Sequence, residues 1–197
     1  MTAAPLNRPD SLPSRLLTVT EYAACGETES GYTELLEGRL IMNPSPMPRH
    51  NYASGRLLIA IDAALPPDLV VIQDVDLDLR LAEDDKPGFS RRPDLMVVRN
   101  SAMSRVDGVG GMLTAADALL TVEIVSPGSE RTDRVVKRGE YADAGIPHYW
   151  IVELGEPVSV LACHQAGEFG YADGGEFTGR FATTEPFGFE LDLSRLG

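Results

Sequence analysis

The part of the sequence that most restricts the fold is a strand-like run followed by a helix and a second strand-like run. Residues Leu119 to Val125 are mostly apolar and short enough for one buried strand. A helix is predicted next, beginning at a cap supplied by Ser129 or Thr132 and ending at Ala144. The apolar run His148 to Leu154 follows it. This order predicts a chain with both helices and sheet in a single layered structure.

Three further segments upstream have a clear period. Residues Tyr32 to Met42 indicate a strand pair or a bent strand around Glu37-Gly38, and apolar residues recur at helical spacing after His50. Residues Leu69 to Leu81 end in strict alternation, which predicts a half-buried strand with Asp76 and Asp78 on its solvated face.

The remaining segments complete the predicted sheet. Residues Pro93 to Val98 form a compact apolar strand that opens with Asp94, and Pro157 to Cys163 is strand-like. Aromatic residues among glycines after Gly167 predict additional hairpins. We therefore predict an α+β (α/β) fold: a mixed central β-sheet flanked by helices, with extra C-terminal β-strands.

Composition indicates one globular domain. The chain has 197 residues, of which 43% are hydrophobic and 24% charged, and no apolar run has the length of a membrane span. Residues 1–17 predict a flexible leader because they are rich in Pro and Ser, and residues 18–197 predict the domain. Cys25 and Cys163 have neither zinc-site nor disulfide-framework spacing, which favours a cytoplasmic protein without a membrane anchor.

The net charge restricts the possible partners. At −13, the chain lacks the basic balance that favours broad attraction to nucleic acid. A divalent cation held by carboxylates can reverse the local sign, so a polyanionic substrate stays open. Basic residues also flank the candidate site described next: Arg91, Arg92, Arg131, Arg134, Lys137 and Arg138.

A carboxylate at the centre of an apolar strand is the strongest sign of chemistry in the sequence. Glu123 has apolar neighbours on both sides, and a buried carboxylate is rare unless it is paired or holds a metal. Asp94, at the start of a neighbouring predicted strand, can supply a second carboxylate. Glu37 or His50 can add a further ligand or position a water.

The helix after this strand supplies the other candidate groups. Asp133, Lys137 and Tyr141 follow one another at steps of four residues, which places them on one helical face. Val125 occupies the strand position, two residues after Glu123, at which a metal nuclease commonly has its lysine. Lys137 can instead lean back from the helix over the end of the strand.

Two carboxylates around one position suit a hard cation. Asp94 and Glu123 are therefore candidate ligands of Mg²⁺ or Mn²⁺, which bind through oxygen and keep several waters. Such an ion neutralises a scissile phosphate and activates water, and an ammonium such as Lys137 stabilises the developing charge. This set of groups predicts phosphodiester hydrolysis.

Four motifs occur in order along the chain: Tyr32 to Leu40, Arg92-Pro93-Asp94, Glu123 to Pro127, and Gly145 to Val152. With Asp133, Lys137 and Tyr141 between the last two, they resemble the Uma-type restriction endonuclease family of the PD-(D/E)XK nuclease superfamily. The resemblance implies a restriction-endonuclease-like core, Mg²⁺-dependent cleavage of nucleic acid, and a lysine displaced from the strand to the next helix. One departure is His148, where the family usually has an acidic residue.

Other interpretations stay open at this stage. Asp94 can be an ordinary strand-entry residue that bonds a loop amide, and Glu123 can form a structural ion pair with Arg131 or Arg138. The chain as a whole can be a DNA endonuclease, or a nuclease-like module that binds nucleic acid or protein without turnover. A homodimer is the expected assembly for cutting two strands, with the aromatic C-terminal strands as the contact.

Overall fold

The computed structural model describes residues 15–25 and 31–197. Most of the predicted leader, residues 1–14, lies outside the described residues, and Leu17 is buried beside Tyr22 and Leu35. The helices are α1 (Val19–Cys25), α2 (Pro48–Asp62), α3 (Asn100–Val109) and α4 (Arg138–Asp143). The strands are β1 (Thr33–Leu36), β2 (Arg39–Met42), β3 (Leu69–Gln73), β4 (Leu77–Asp78), β5 (Ser90–Arg91), β6 (Leu95–Arg99), β7 (Leu113–Thr114), β8 (Ala118–Val125), β9 (His148–Glu153), β10 (Ser159–Gln165), β11 (Tyr171–Thr178), β12 (Arg180–Thr183) and β13 (Phe189–Asp192).

A six-stranded mixed sheet forms the centre of the fold. Its strand order is β11-β10-β9-β8-β6-β3, and every neighbouring pair is antiparallel except β8 and β9. A parallel pair requires a crossover connection, and the helical segment that ends in α4 supplies it. The predicted mixed sheet flanked by helices is confirmed.

Two smaller sheets complete the architecture. A five-stranded sheet has the order β2-β1-β5-β4-β7, and β12 pairs with β13 in a separate hairpin. The predicted strand pair at the N-terminal end is the β1–β2 hairpin, and the extra C-terminal strands are β11 to β13.

The two faces of the central sheet carry separate hydrophobic clusters. Helix α2 packs on one face through Ala53, Leu57 and Ile61. The C-terminal hairpin covers the same face, where the ring centroids of Trp150 and Phe181 are 4.9 Å apart. Most of the aromatic residues that were expected to pair across a dimer axis are instead buried within the chain: Phe181, Phe187 and Phe189. The opposite face packs against α3, α4 and the five-stranded sheet.

The prediction of one continuous strand from Leu69 to Leu81 is wrong, because the segment forms two strands in different sheets. Strand β3 ends at Gln73, and Asp74 has a φ of 52°, so the chain leaves the central sheet there. It then enters the five-stranded sheet as β4. Asp78 is buried rather than solvated because β4 lies between two strands, and its carboxylate accepts a hydrogen bond from the backbone N–H of Arg80 at 2.9 Å.

The helix predicted after β8 contains an irregular turn. Residues Thr132–Lys137 adopt π-helical geometry, in which the N–H bonds to the carbonyl five residues earlier, and α4 follows directly. Such turns are frequent at functional sites.

Within the described parts of the chain, none of the helices combines the length and apolar character needed to cross a bilayer.

Candidate active site

Asp94 and Glu123 lie side by side where two central strands meet the five-stranded sheet. The register pairs Leu95 with Val122, so Asp94, which directly precedes β6, lies next to Glu123, and the Glu123 side chain projects to the face that carries α4. Oδ2 of Asp94 accepts a hydrogen bond from the backbone N–H of Ile124 at 2.6 Å. The same oxygen lies 3.2 Å from Nε2 of His50, at the start of α2.

Glu123 is held by two groups of the following helical segment. Oε1 of Glu123 lies 2.9 Å from Nζ of Lys137 and accepts a hydrogen bond of 2.7 Å from the hydroxyl of Tyr141. All three side chains are buried. The ammonium therefore reaches the strand from the helix, while Val125 packs with the apolar residues of the same face.

Asp133 occupies the edge of the same cluster. Its Oδ1 lies 3.8 Å from Nζ of Lys137, and its Oδ2 accepts a hydrogen bond of 2.5 Å from the hydroxyl of Ser129. The backbone carbonyl of Asp133 accepts a hydrogen bond from the hydroxyl of Tyr149, which fixes the π-helical turn against β9. The structure thus brings the three predicted helix residues to one place.

Sequence reasoning missed one carboxylate of this cluster, Glu34 on β1. Its Oε1 lies 3.3 Å from Nζ of Lys137, and its Oε2 accepts a hydrogen bond of 2.9 Å from Arg91. Arg91 is 3% exposed and donates two more hydrogen bonds to Glu140 of α4. Glu34 stands in the apolar segment Thr33–Leu36, the same signal that marked Glu123.

Two predicted site residues have different outcomes. His50 contacts Asp94, whereas Glu37 lies in the turn between β1 and β2, with an exposed side chain and a φ of 49°. Among the described residues, no contact joins Glu37 to the cluster. The turn requires a left-handed residue, so Glu37 and the following Gly38 close the hairpin, and Glu34 supplies the carboxylate instead.

The basic residues near the site are paired with acids. Arg134 lies 2.6 Å from Glu153, and Arg138 lies 2.6 Å from Asp173. Among the described residues, the alternative ion pair of Glu123 with Arg131 or Arg138 is not formed, since Lys137 takes that position.

Burial and crowding shift the pKa values of the central groups. Burial raises the pKa of Glu123 to about 8, and the anions Asp94, Asp133 and Glu34 add to this rise against the opposing charge of Lys137. Burial lowers the pKa of Lys137, but the carboxylates of Glu123, Glu34 and Asp133 outweigh burial and raise that pKa. Lys137 thus stays an ammonium in a region with more carboxylates than cations.

The cluster has the donor chemistry that suits a hard cation. Asp94 and Glu123 each use a single oxygen, Oδ2 and Oε1, for their contacts within the described residues. Oδ1 of Asp94 and Oε2 of Glu123 are the remaining oxygens. In the described ranges no three His, Cys, Asp or Glu side chains converge in a ready-made metal cage. Two carboxylates with water are the usual protein contribution to a Mg²⁺ site, so the pair fits this ion.

The fold has a counterpart among solved structures. The structure is similar to the crystal structure of a putative nuclease belonging to DUF820 from Anabaena variabilis, with a TM-score of 0.68. That similarity covers 91% of this chain and 97% of the other at 19% sequence identity. No curated protein matches the chain.

The family follows from the sequence itself. The model of the Uma2 family, described as putative restriction endonuclease, matches residues 19–192. The chain therefore belongs to the Uma2 family, and the resemblance carried by its motifs is confirmed. Family and fold together support a nuclease, and with it a nucleic-acid substrate.

Proposed function

We propose that the chain is a Mg²⁺-dependent endonuclease that hydrolyses phosphodiester bonds in DNA, with Mn²⁺ as an alternative ion. The observation that carries the proposal is the pairing of Asp94 with Glu123, each with one oxygen held by the protein and one left over. These two oxygens would hold the ion. When bound, the ion supplies charge neutralisation at the phosphate and a more acidic water.

The protein groups around the two ligands have separate tasks in this proposal. The N–H of Ile124 and the imidazole of His50 fix the orientation of the Asp94 carboxylate. The hydroxyl of Tyr141 does the same for Glu123. Orientation of this kind leaves Oδ1 of Asp94 and Oε2 of Glu123 as the oxygens that would contact the ion.

Lys137 is the proposed group for charge stabilisation. Its side chain is 8% exposed, and its ammonium lies among Glu34, Glu123 and Asp133, so its position is fixed before substrate binds. A preorganised positive charge stabilises the negative charge that develops on phosphoryl oxygens, and it needs no reorganisation during the reaction. Arg91 supports this arrangement by holding Glu34 in place.

Plasmid cleavage tests the proposal. Supercoiled plasmid is incubated with the parental protein in Mg²⁺, in Mn²⁺ and in EDTA, and with Asp94→Asn in Mg²⁺. Asp94→Asn keeps an acceptor for the N–H of Ile124 but removes the anion. Asp85→Asn, at an exposed loop aspartate, is the matched control. We expect nicking by the parental protein and the control in the presence of either ion, and none in EDTA or by Asp94→Asn. Equal activity in all samples would contradict the proposal.

A nuclease-like module without turnover is the second candidate. The tight contact of Glu123 with Lys137 and Tyr141 favours it, because these contacts satisfy the carboxylate without an ion. Plasmid retardation on a gel without nicking, in both Mg²⁺ and Mn²⁺, would support the binding module. Cleavage of RNA but not plasmid would retain the nuclease and exclude DNA as its substrate.

A homodimer in the cytoplasm is part of the same proposal. Cutting two strands favours two copies of the site, and the free thiols of Cys25 and Cys163 suit a reducing compartment. Since the C-terminal aromatic residues pack within the chain, the dimer would use another surface. Sedimentation showing only the 21.3 kDa monomer at micromolar concentration would exclude the dimer.

A further inference from the structure

A cavity of about 260 Å³ lies beside the carboxylate cluster and has no part in the chemistry above. It is smaller than the roughly 300–1,000 Å³ typical of sites for drug-sized ligands, which suits a single ring system. The residues that line it include Tyr22, Tyr32, Thr33, Asp74, Asp76 and Arg92.

Each side of this cavity is connected to the proposed active site. Strand β3 pairs Gln73 with Leu95 at its end, so Asp74 leaves the central sheet close to Asp94. Thr33 precedes Glu34, and Arg92 stands two residues before Asp94. A ligand in the cavity is therefore an immediate neighbour of the position at which phosphate would be cleaved.

An aromatic ring with a stacked guanidinium forms one wall. Cζ of Arg92 lies 3.8 Å from the ring centroid of Tyr32, and Tyr32 is 42% exposed. Exposed aromatic rings and guanidinium planes are the surfaces on which unpaired nucleobases stack. The residue adjacent to Tyr32 on β1, Thr33, has its carbonyl bonded to the hydroxyl of Tyr22 at 2.6 Å, which fixes this wall.

Acceptor groups also line the cavity, and Oδ1 of Asp76 lies 3.9 Å from Nη1 of Arg92. Asp74 and Asp76 bring carboxylates to the cavity, and Oδ1 of Asp76 accepts a hydrogen bond of 3.3 Å from Tyr22. Among the described residues that line the cavity, two carboxylates and one cation, Arg92, leave a negative balance that disfavours a phosphate group. The two carboxylates accept hydrogen bonds from the exocyclic amino group of a base, as carboxylates do from N4 of cytosine.

We propose that this cavity binds an unpaired nucleobase next to the scissile phosphate, stacked on Tyr32 and Arg92 and bonded through its amino group to Asp74. The inference rests on the proposed function and adds a preference for single-stranded or unpaired positions with amino-bearing bases. Thymine, which has a carbonyl in place of that amino group, is disfavoured.

Oligonucleotide binding tests the cavity separately from cleavage. Fluorescein-labelled single strands of eight dC or eight dT are titrated in Ca²⁺ and followed by anisotropy. The proteins are the parental chain, Tyr32→Ala, Tyr32→Phe, Asp74→Asn and the matched control Tyr52→Ala, at a 55% exposed tyrosine of α2. Plasmid cleavage in Mg²⁺ is measured for the parental chain in parallel.

We expect the parental chain to bind dC more tightly than dT. Tyr32→Ala should weaken dC binding about ten-fold, the range for losing one stacked base. Tyr32→Phe and Tyr52→Ala should bind as the parental chain does, and Asp74→Asn should reduce the preference for dC.

The two proposals fail in distinguishable ways. Plasmid cleavage together with equal oligonucleotide binding by Tyr32→Ala would overturn the base pocket and leave the nuclease intact. Absence of oligonucleotide binding by the parental chain would overturn the pocket as well. Binding that depends on Tyr32 without any plasmid cleavage would keep the pocket and overturn the nuclease.

Discussion

Nζ of Lys137 lies 2.9 Å from Oε1 of Glu123, and the two side chains are 8% and 4% exposed. This contact joins the helical segment after β8 to the strand itself, in place of a lysine at Val125. A buried charge whose partner is removed costs several kcal/mol, so the pair connects the stability of the fold to its proposed chemistry.

Replacing Lys137 with Met tests the chemical role, because Met keeps most of the apolar stem and removes the charge. We expect plasmid cleavage to fall about 10²-fold or more, the scale for loss of one preorganised electrostatic donor. Lys86→Met, at a loop lysine whose side chain is 57% exposed, is the matched control. Cleavage by Lys137→Met at the parental rate would remove the ammonium from the mechanism.

Replacing Glu123 with Gln tests metal binding. The substitution keeps the shape and an acceptor for Tyr141, and it removes repulsion from Asp94, Asp133 and Glu34. We expect Mn²⁺ binding measured by calorimetry to be lost. The melting temperature should stay close to parental, because Lys137 keeps Glu34 and Asp133 as charged partners. Glu83→Gln, at an exposed loop position, should retain Mn²⁺ binding. Unchanged affinity in Glu123→Gln would exclude Glu123 as a ligand.

The raised pKa of Glu123 has a consequence for stability against pH. Between the ordinary value of 4.5 and the folded value of about 8, the folded state holds a proton that the unfolded state has released. The free energy of unfolding attributable to this group therefore falls as pH rises through that window, by at most about 1.4 kcal/mol per pH unit.

Urea denaturation of the parental protein and Glu123→Gln without divalent ions, at several pH values from 5 to 8, measures this contribution. The difference between the two proteins should grow in favour of Glu123→Gln towards the alkaline end. Parallel pH profiles would show that Glu123 is ionised throughout.

Arg91 should matter for stability more than any exposed arginine. Arg91→Met leaves Glu34 and Glu140 without their shared partner in a buried region, and breaking a buried pair costs about 3–5 kcal/mol. Arg99→Met is the control, since that side chain is 67% exposed and lies 3.7 Å from Asp68. Chemical denaturation followed by circular dichroism should give a loss for Arg91→Met alone.

Local patterns in the sequence were sufficient to predict the segments that form the site. Glu123 stands out within its own strand, and Lys137 and Tyr141 follow from helical spacing, because both signals depend on residues close in sequence. The fold class was predictable for the same reason. The discontinuity at Asp74 was not, since alternation continues across it and only the three-dimensional path divides β3 from β4.

Contacts between distant segments were the part that sequence could not provide. Glu34 and Arg91 are 57 positions apart, and nothing local to either residue names its partner. Glu37 and Glu34 are three positions apart in the same hairpin, so spacing alone could not decide which carboxylate the helix would meet. The left-handed conformation of Glu37 places this residue in the turn and leaves Glu34 as the carboxylate that the helix meets. This conformation is a property of the completed turn.

The π-helical turn at Thr132–Lys137 makes the position of the Lys137 ammonium depend on the number of residues in the turn as well as on their types. Each residue of an ordinary α-helix turns the next side chain by about 100°. Deleting one residue between Asp133 and Lys137 would rotate one of them relative to the other by roughly that angle and leave both in the sequence. A homologous chain with the same acids and lysine but a different count in this turn would carry the motif without the geometry.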